Sequence, residues 1–346
     1  MNVLIACTTY AKSRAKLRAL LTRANIDPDA SYDARKVPAL ARAILSDPET
    51  MRGRPVDFTG SNLDVLCSVA VLPSGKIRPN LGSSLKILKN IGDYLETKVV
   101  YMSPHIESGW NMCPWATGYT RVDGVLTVTP GKGCAGNCLT GSGQMVTNPA
   151  LVSRLLKTAL YQMFRPVFVE LVSMEVAKLS RRVEKLNRTT DKTWTAGVRL
   201  NGTSDVMWEH DAPELFTRHP DVVWYDYTKG MLAARRRALS IPNYHLTFSM
   251  ADVTDARQWQ RSREWQAQGV NVAVVVRNRA QAERLLDVGY WMGRPVIDGD
   301  ASDARPYDAP MGGWVLLYAK GKHDASDPFI VDLDNLPATI TTAHAA

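Results

Sequence analysis

Three cysteines, Cys113, Cys134 and Cys138, crowd one stretch of a 346-residue chain that holds five. Cys134 and Cys138 are spaced C-x3-C in the run Gly133-Cys134-Ala135-Gly136-Asn137-Cys138, and Cys113 lies upstream in Met112-Cys113-Pro114-Trp115, with 20 residues between it and Cys134. Thiolates are the common ligands of zinc and of iron–sulfur clusters. Three of them on a [4Fe–4S] cluster would leave one iron open, the counterpart of the vacant position in a catalytic zinc site. Zinc held by the three thiolates and a histidine such as His105 is the main metal alternative, and three unliganded cysteines are the bland one. Glycines at 131, 133, 136, 141 and 143 let the backbone approach a cluster and offer N–H groups to it, so Gly141 and Gly143 are expected on the cofactor. Cys7 and Cys67 have apolar surroundings and are expected to be plain buried residues.

A second set of chemically able residues follows predicted strands. Asn201-Gly202-Thr203-Ser204-Asp205 comes after Leu200, Asp226 to Lys229 after Tyr225, Thr247, Ser249 and Asp252 after His245, Arg277 and Asn278 after Val276, and Asp298 to Arg305 after Ile297. Functional residues of parallel α/β folds gather at the carboxyl ends of strands. Asn201 and Ser204 are therefore expected to face a cofactor, and Asp205, Asp226, Lys229 and Asp300 to supply proton donors and acceptors if burial shifts their pKa values. Any one of Thr203, Ser204, Asp205, Asp252 and Asp255 is equally suited to capping a helix.

The elements that must position these residues become regular after about Asn148. Asn148 to Phe164 and Pro166 to Leu186 read as helices, with Pro149 suited to a first turn. Strands are expected over 196–200, 222–227, 244–249, 270–276, 295–298 and 314–318, with helices over 212–218, 230–239, 255–268 and 279–288 between them. The stretch 270–276 is nearly all apolar, as a sheet buried on both faces requires. Repeated β–α units imply a parallel sheet with right-handed crossovers. The fold expected is α/β, a complete or partial parallel (β/α) barrel of radical-SAM-like type, with an open doubly wound sheet as runner-up. No G-x-G-x-x-G fingerprint follows a strand. An irregular α+β region over 1–104 is expected to precede a metal-binding domain over 105–346. In it, 11–24, 37–45 and 83–95 read as helices, 63–72 and 98–102 as strands, and 122–128 as a hairpin.

Bulk composition narrows the setting. At 45% hydrophobic residues a sizeable core can be buried. No apolar run approaches the ~20 residues of a membrane helix, and the start is a poor signal peptide. Five cysteines in so long a chain do not make a disulfide framework, so a reducing cytoplasm is the expected location. A net charge of +8 permits an anionic small molecule or nucleic acid as partner. Much of the excess, as in Arg181-Arg182 and Arg235-Arg236-Arg237, reads as solvated helix faces. Most of the nine tryptophans are expected to pack in the core.

The strings Gly133 to Leu139, Val198-Arg199-Leu200-Asn201-Gly202-Thr203-Ser204-Asp205 to Glu209, Tyr225 to Lys229, Asp298 to Arg305, and Ala319-Lys320-Gly321-Lys322 resemble a bacteriophage family related to the "gene product 88" domain, over roughly residues 105 to 325. That resemblance implies phage origin and the host cytoplasm, and it supplies no activity. A weaker resemblance is to radical S-adenosylmethionine enzymes, which place a three-cysteine [4Fe–4S] site before the first helix of a partial barrel. Their cysteines are spaced C-x3-C-x2-C. Here Cys134 and Cys138 match the first gap, but Gly141 stands at the third position. The departure leaves the thiolates and removes the spacing from which S-adenosylmethionine binding is inferred.

Two principal hypotheses follow. In the first, the chain is an iron–sulfur protein with its cluster at the mouth of a barrel, acting on a nucleotide or nucleic-acid component. In the second, it is a nucleic-acid-binding accessory protein whose zinc or iron–sulfur site is structural. A metal-free phosphate-binding hydrolase would use the polar strand ends, but no P-loop or nucleophile elbow is present.

Overall fold

The computed structural model describes residues 2–336 apart from 84–86, 123–124, 130–131, 142, 321–323 and 325, and side chains are not described for residues 2–6, 105, 106, 121, 122, 125 and 126. Gly131, Lys322 and the side chain of His105 therefore lie outside the described residues.

The strands, in chain order, are β1 (Leu81–Gly82), β2 (Leu95–Val100), β3 (Tyr119–Val122), β4 (Val125–Val128), β5 (Thr195–Arg199), β6 (Val222–Thr228), β7 (Tyr244–Ser249), β8 (Val272–Val276), β9 (Tyr290–Trp291), β10 (Arg294–Asp298), β11 (Trp314–Tyr318) and β12 (Ile330–Val331). β3 and β4 form a hairpin of their own, and the other ten make one sheet in the order β1-β2-β5-β6-β7-β8-β11-β10-β9, with β12 also beside β8. From β2 through β10 neighbouring strands are parallel. β1 and β9, at the two ends, are antiparallel to their neighbours.

The outcome is a mixed α/β fold whose sheet is largely parallel and open. The closed barrel is not formed among the described residues, and nothing in the arrangement supports a radical-SAM-like one. The chain steps steadily from β5 to β8. It then makes the antiparallel turn from β9 to β10 at the far edge and inserts β11 between β10 and β8. β1 and β2 precede position 105 and belong to this same sheet.

One face of the sheet carries the main core. Phe216 stacks on Tyr244 at 4.5 Å between ring centres, Phe248 on Trp265 at 6.0 Å, and Trp259 lies 5.8 Å from Trp314. The helices Asn148–Met163 and Arg165–Thr189 pack on each other, and the first also packs on helix Asn62–Ala70. The second face is covered differently. There Leu95, Tyr225 and Ala304 form a separate small apolar cluster, closed by the segment that follows β10.

Two local expectations are corrected. The stretch expected as a strand over 63–72 is the helix Asn62–Ala70, started by a capping box between Ser61 and Asp64. Leu63, Val65, Leu66, Cys67 and Val69 are all buried, so a wide apolar face leaves a narrow polar side with Asp64 and Ser68 on it, and the alternation Val65, Cys67, Val69 misleads. Arg235 is not on a solvated face: it is fully buried.

Candidate functional site

The segment 111–138 carries all three clustered cysteines and is seated on the carboxyl ends of the central strands. Asp205 N–H, beyond β5, donates to Met112 O at 2.8 Å. Cys113 Sγ lies 3.7 Å from Thr203 O. Thr117 Oγ1 donates to Ala251 O, beyond β7, at 2.7 Å. The far part of the segment is tied down just before β12: the buried Asp327 accepts from Gly133 N at 3.1 Å and from Asn137 Nδ2 at 2.5 Å, and Lys132 Nζ reaches Asp324 at 2.9 Å. Parallel α/β folds keep their sites at this edge.

Two glycines allow the arms bearing Cys113 and Cys134 to cross. At Gly118 (φ +91°) a Cβ would stand 1.9 Å from Lys132 O, and at Gly133 (φ +60°) it would stand 2.7 Å from Gly118 N. Gly141 and Gly143 make no such approach, since a Cβ on either meets nothing within 4 Å.

All three cysteines lie in the neighbourhood of one phenol. Burial raises the hydroxyl of Tyr119 far above its ordinary range, and Cys113, Cys134, Cys138 and Glu107 each lie near enough to push it further when ionised. Cys134 is buried, and its Sγ accepts from Thr117 N at 3.2 Å. Burial pushes the Cys138 thiol up, against hydrogen bonds from Thr140. Burial likewise raises Glu107, while Arg154, 3.6 Å away, opposes the shift. Among the described residues no three His, Cys, Asp or Glu side chains already form a metal-ligating group. The donor types nonetheless suit a thiophilic metal: soft sulfurs, two of them half-buried, with a backbone N–H at the buried one. Of the other two cysteines, Cys67 is buried as expected, while Cys7 is exposed.

Asn201, Ser204, Asp205, Asp226 and Lys229 are brought together beneath this segment. Asn201 N–H donates to Asp226 at 2.7 Å, and its side-chain oxygen accepts from Ser204 Oγ (3.0 Å), Val206 N (2.9 Å) and Trp208 Nε1 (3.2 Å). Asp205 accepts from Lys229 N at 2.7 Å and from Arg235 at 2.9 Å. Arg235 also grips Glu209 at 2.5 Å, so one buried guanidinium serves two buried carboxylates. Burial raises Asp205, with Arg235 opposing, and pushes Asp226 up to about 7. Lys229 Nζ points at Ser249 Oγ (2.9 Å) and Met250 O (3.2 Å), 5.2 Å from the Phe329 ring centre. Asp300 stands apart, beyond β10, where it accepts from Tyr318 N at 3.1 Å and Lys320 at 2.6 Å.

Of the residues suited to helix caps, Asp255 caps Ala256–Ala267. Asp252 instead closes its own turn by accepting from Thr254 N. Sequence reasoning passed over Glu209, Arg235, Asp327, Tyr119 and Glu107 as members of the site. Arg235 was masked by the arginines beside it, and Asp327 by its distance in sequence.

A family model described as Gene product 88 matches residues 79–332. No curated protein and no solved structure matches the chain.

Proposed function

For this chain, which belongs to the gene product 88 family of phage proteins, we propose that Cys113, Cys134 and Cys138 hold an iron–sulfur cluster at the carboxyl edge of the sheet. The observation that supports this reading is the seating of all three cysteines on one glycine-crossed segment at the carboxyl edge of the sheet, Cys113 beside Thr203 O and Cys134 against Thr117 N, with Tyr119 near them. When bound, a [4Fe–4S] cluster on three thiolates supplies an iron with an open position. The chain's own part is to hold the ligands. Thr117 N–H stabilises charge on Cys134 Sγ. The half-buried Cys138, its thiol pushed up, gives its proton up when a metal binds. Tyr119, held protonated, remains a hydroxyl donor beside the sulfurs.

An anionic substrate such as a nucleotide fits the net charge of +8, and host cytoplasm fits free thiols. No helix among the described residues is long and apolar enough to cross a membrane. The test is iron, sulfide and zinc content after anaerobic purification, with visible and EPR spectra. The expected result is a coloured protein with about four iron and four sulfide per chain, and loss of iron in each Cys→Ser variant without loss of fold. A colourless, iron-free protein, with or without stoichiometric zinc, overturns the reading.

A further inference from the structure

A cavity of ≈ 350 Å³ opens between the helix Arg165–Thr189, the N-terminal helix Asn2–Arg23 and the β1–β2 edge of the sheet. Its walls carry five cations, Lys16, Arg78, Lys98, Lys178 and Arg182, against one carboxylate, Glu175. Glu175 is already engaged: its oxygens accept from Asn80 N at 2.9 Å, Leu81 N at 2.9 Å and Asn80 Nδ2 at 3.2 Å. Arg182 is paired outward with Glu96 at 3.0 Å, and Lys98 donates to Ser83 Oγ at 2.7 Å.

Arg78 is the informative member. Its side chain is only partly exposed, its Nε is buried without a hydrogen bond, and no carboxylate pairs with it among the described residues. Burial lowers its pKa and Arg54 lowers it further, with no acid opposing either effect. Behind the cavity Lys157, only 7% exposed, is pushed down to about 8 by burial and by the like charges of Arg78 and Arg154, with Glu175 alone opposing. A solvated helix face accounts for the exposed Lys178 and Arg182, but not for desolvating Arg78 and Lys157 on the same side of the molecule. The cavity also has an apolar floor of Leu81, Leu171 and Leu179, all buried.

We propose that this cavity binds a small organic phosphate of mononucleotide size, whose phosphate meets Arg78 and the lysines while its body lies on the leucine floor. A cavity of ≈ 350 Å³ falls in the range of small-molecule sites. Arg78 offers a guanidinium fork suited to phosphate oxygens. The cations ring one hollow rather than forming the long stripe a nucleic-acid strand would need. The site is separate from the cysteine segment, so it stands or falls independently of the iron–sulfur reading.

The test is calorimetric titration of the full chain with deoxyadenosine monophosphate, adenosine and a single-stranded oligodeoxynucleotide. The monophosphate is expected to bind saturably, and adenosine to bind at least ~10-fold more weakly. Arg78→Met is expected to weaken the monophosphate ~10-fold or more while its Tm equals or exceeds that of the native chain, because a poorly compensated charge has been removed. Lys178→Met, on the exposed rim, is expected to weaken it less. The proposal is overturned if the monophosphate does not bind, if adenosine binds as well, if only the oligonucleotide binds, or if Arg78→Met binds normally in a folded chain.

Discussion

At the scale of single residues, the crossing of Gly118 and Gly133 decides whether the cysteine arms can meet. Gly118→Ala must accommodate both a left-handed φ of +91° and a Cβ placed 1.9 Å from a carbonyl oxygen. Backbone atoms cannot swing aside as a side chain can, so a loss of about 2–4 kcal/mol in urea denaturation is expected. The same variant should lose bound iron. Gly141→Ala, with open space around it, is expected to change stability by less than ~1 kcal/mol. Asp226 makes a different claim. Buried between Asn201 and Tyr244, it has a pKa of about 7, against ~3.9 for an unfolded aspartate. Between those values the folded state binds the extra proton, so this group's contribution to stability is full below pH ~4 and is lost as pH rises toward 7. Asp226→Asn keeps an acceptor for Asn201 N–H and removes the titration. The native chain should therefore lose about 3–4 kcal/mol more than the variant between pH 4 and 7.5, read by denaturation at each pH. Equal pH profiles would place the charge elsewhere.

At the scale of elements, what the sequence disclosed was what local pattern controls. The nearly all-apolar β8 and the polar turns after β5, β6 and β7 were legible because burial on two faces and abrupt polarity leave a mark in every residue. The hairpin expected over 122–128 is found as β3 and β4, with its first strand beginning earlier, at Tyr119. The helix Asn62–Ala70 was not legible, because its polar side is narrow, with Asp64 and Ser68 on it, and the alternation Val65, Cys67, Val69 imitates a strand, which leaves the start signal as the clearer mark. That signal was present in Ser61-Asn62-Leu63-Asp64, a capping box with Asp in the third position. Ser61→Ala should cost about 1 kcal/mol and Asp64→Ala a similar amount, with the double variant less than additive because each side chain satisfies the other's backbone. Thermal denaturation of the four chains reads this, and full additivity would mean that the box is not acting as one unit. The site was legible to the same extent. The cysteines and the polar strand ends announced themselves by type and spacing. Tyr119, Arg235 and Asp327 enter only through the tertiary fold, from places where nothing nearby in sequence distinguishes them.

At the scale of the whole molecule, the order β8-β11-β10 could not be read from the chain, because insertion of a later strand between earlier ones leaves no local trace. That order sends the segment after β10 back across the second face of the sheet. Lys89 Nζ donates to Asp300 O at 2.5 Å, Ser302 Oγ meets Asp93, and Asp303 N–H donates to Asn90 Oδ1 at 3.0 Å. Asp300, expected as a catalytic acid, stands at the root of this strap, held by Tyr318 N and Lys320. The strap's deepest contact is the pair Arg199–Asp303 at 2.6 Å, with side chains 6% and 0% exposed, and the guanidinium lies over the Tyr227 ring at 5.1 Å from its centre. In an open sheet such a strap ties β10 to the β2–β5 side across this face, as closure would in a barrel. Asp303→Ala leaves Arg199 buried without its counter-charge and should cost about 3–5 kcal/mol. Adding Arg199→Met should recover part of that loss, because two apolar side chains at these positions strand no charge. Hydrogen exchange gives the sharper reading: in Asp303→Ala, amides of 299–308 and of β5–β6 should exchange faster together, while those of helix Arg165–Thr189 keep their protection. Faster exchange in 299–308 alone would mean that the segment merely rests on the sheet, and that the fold is held without it.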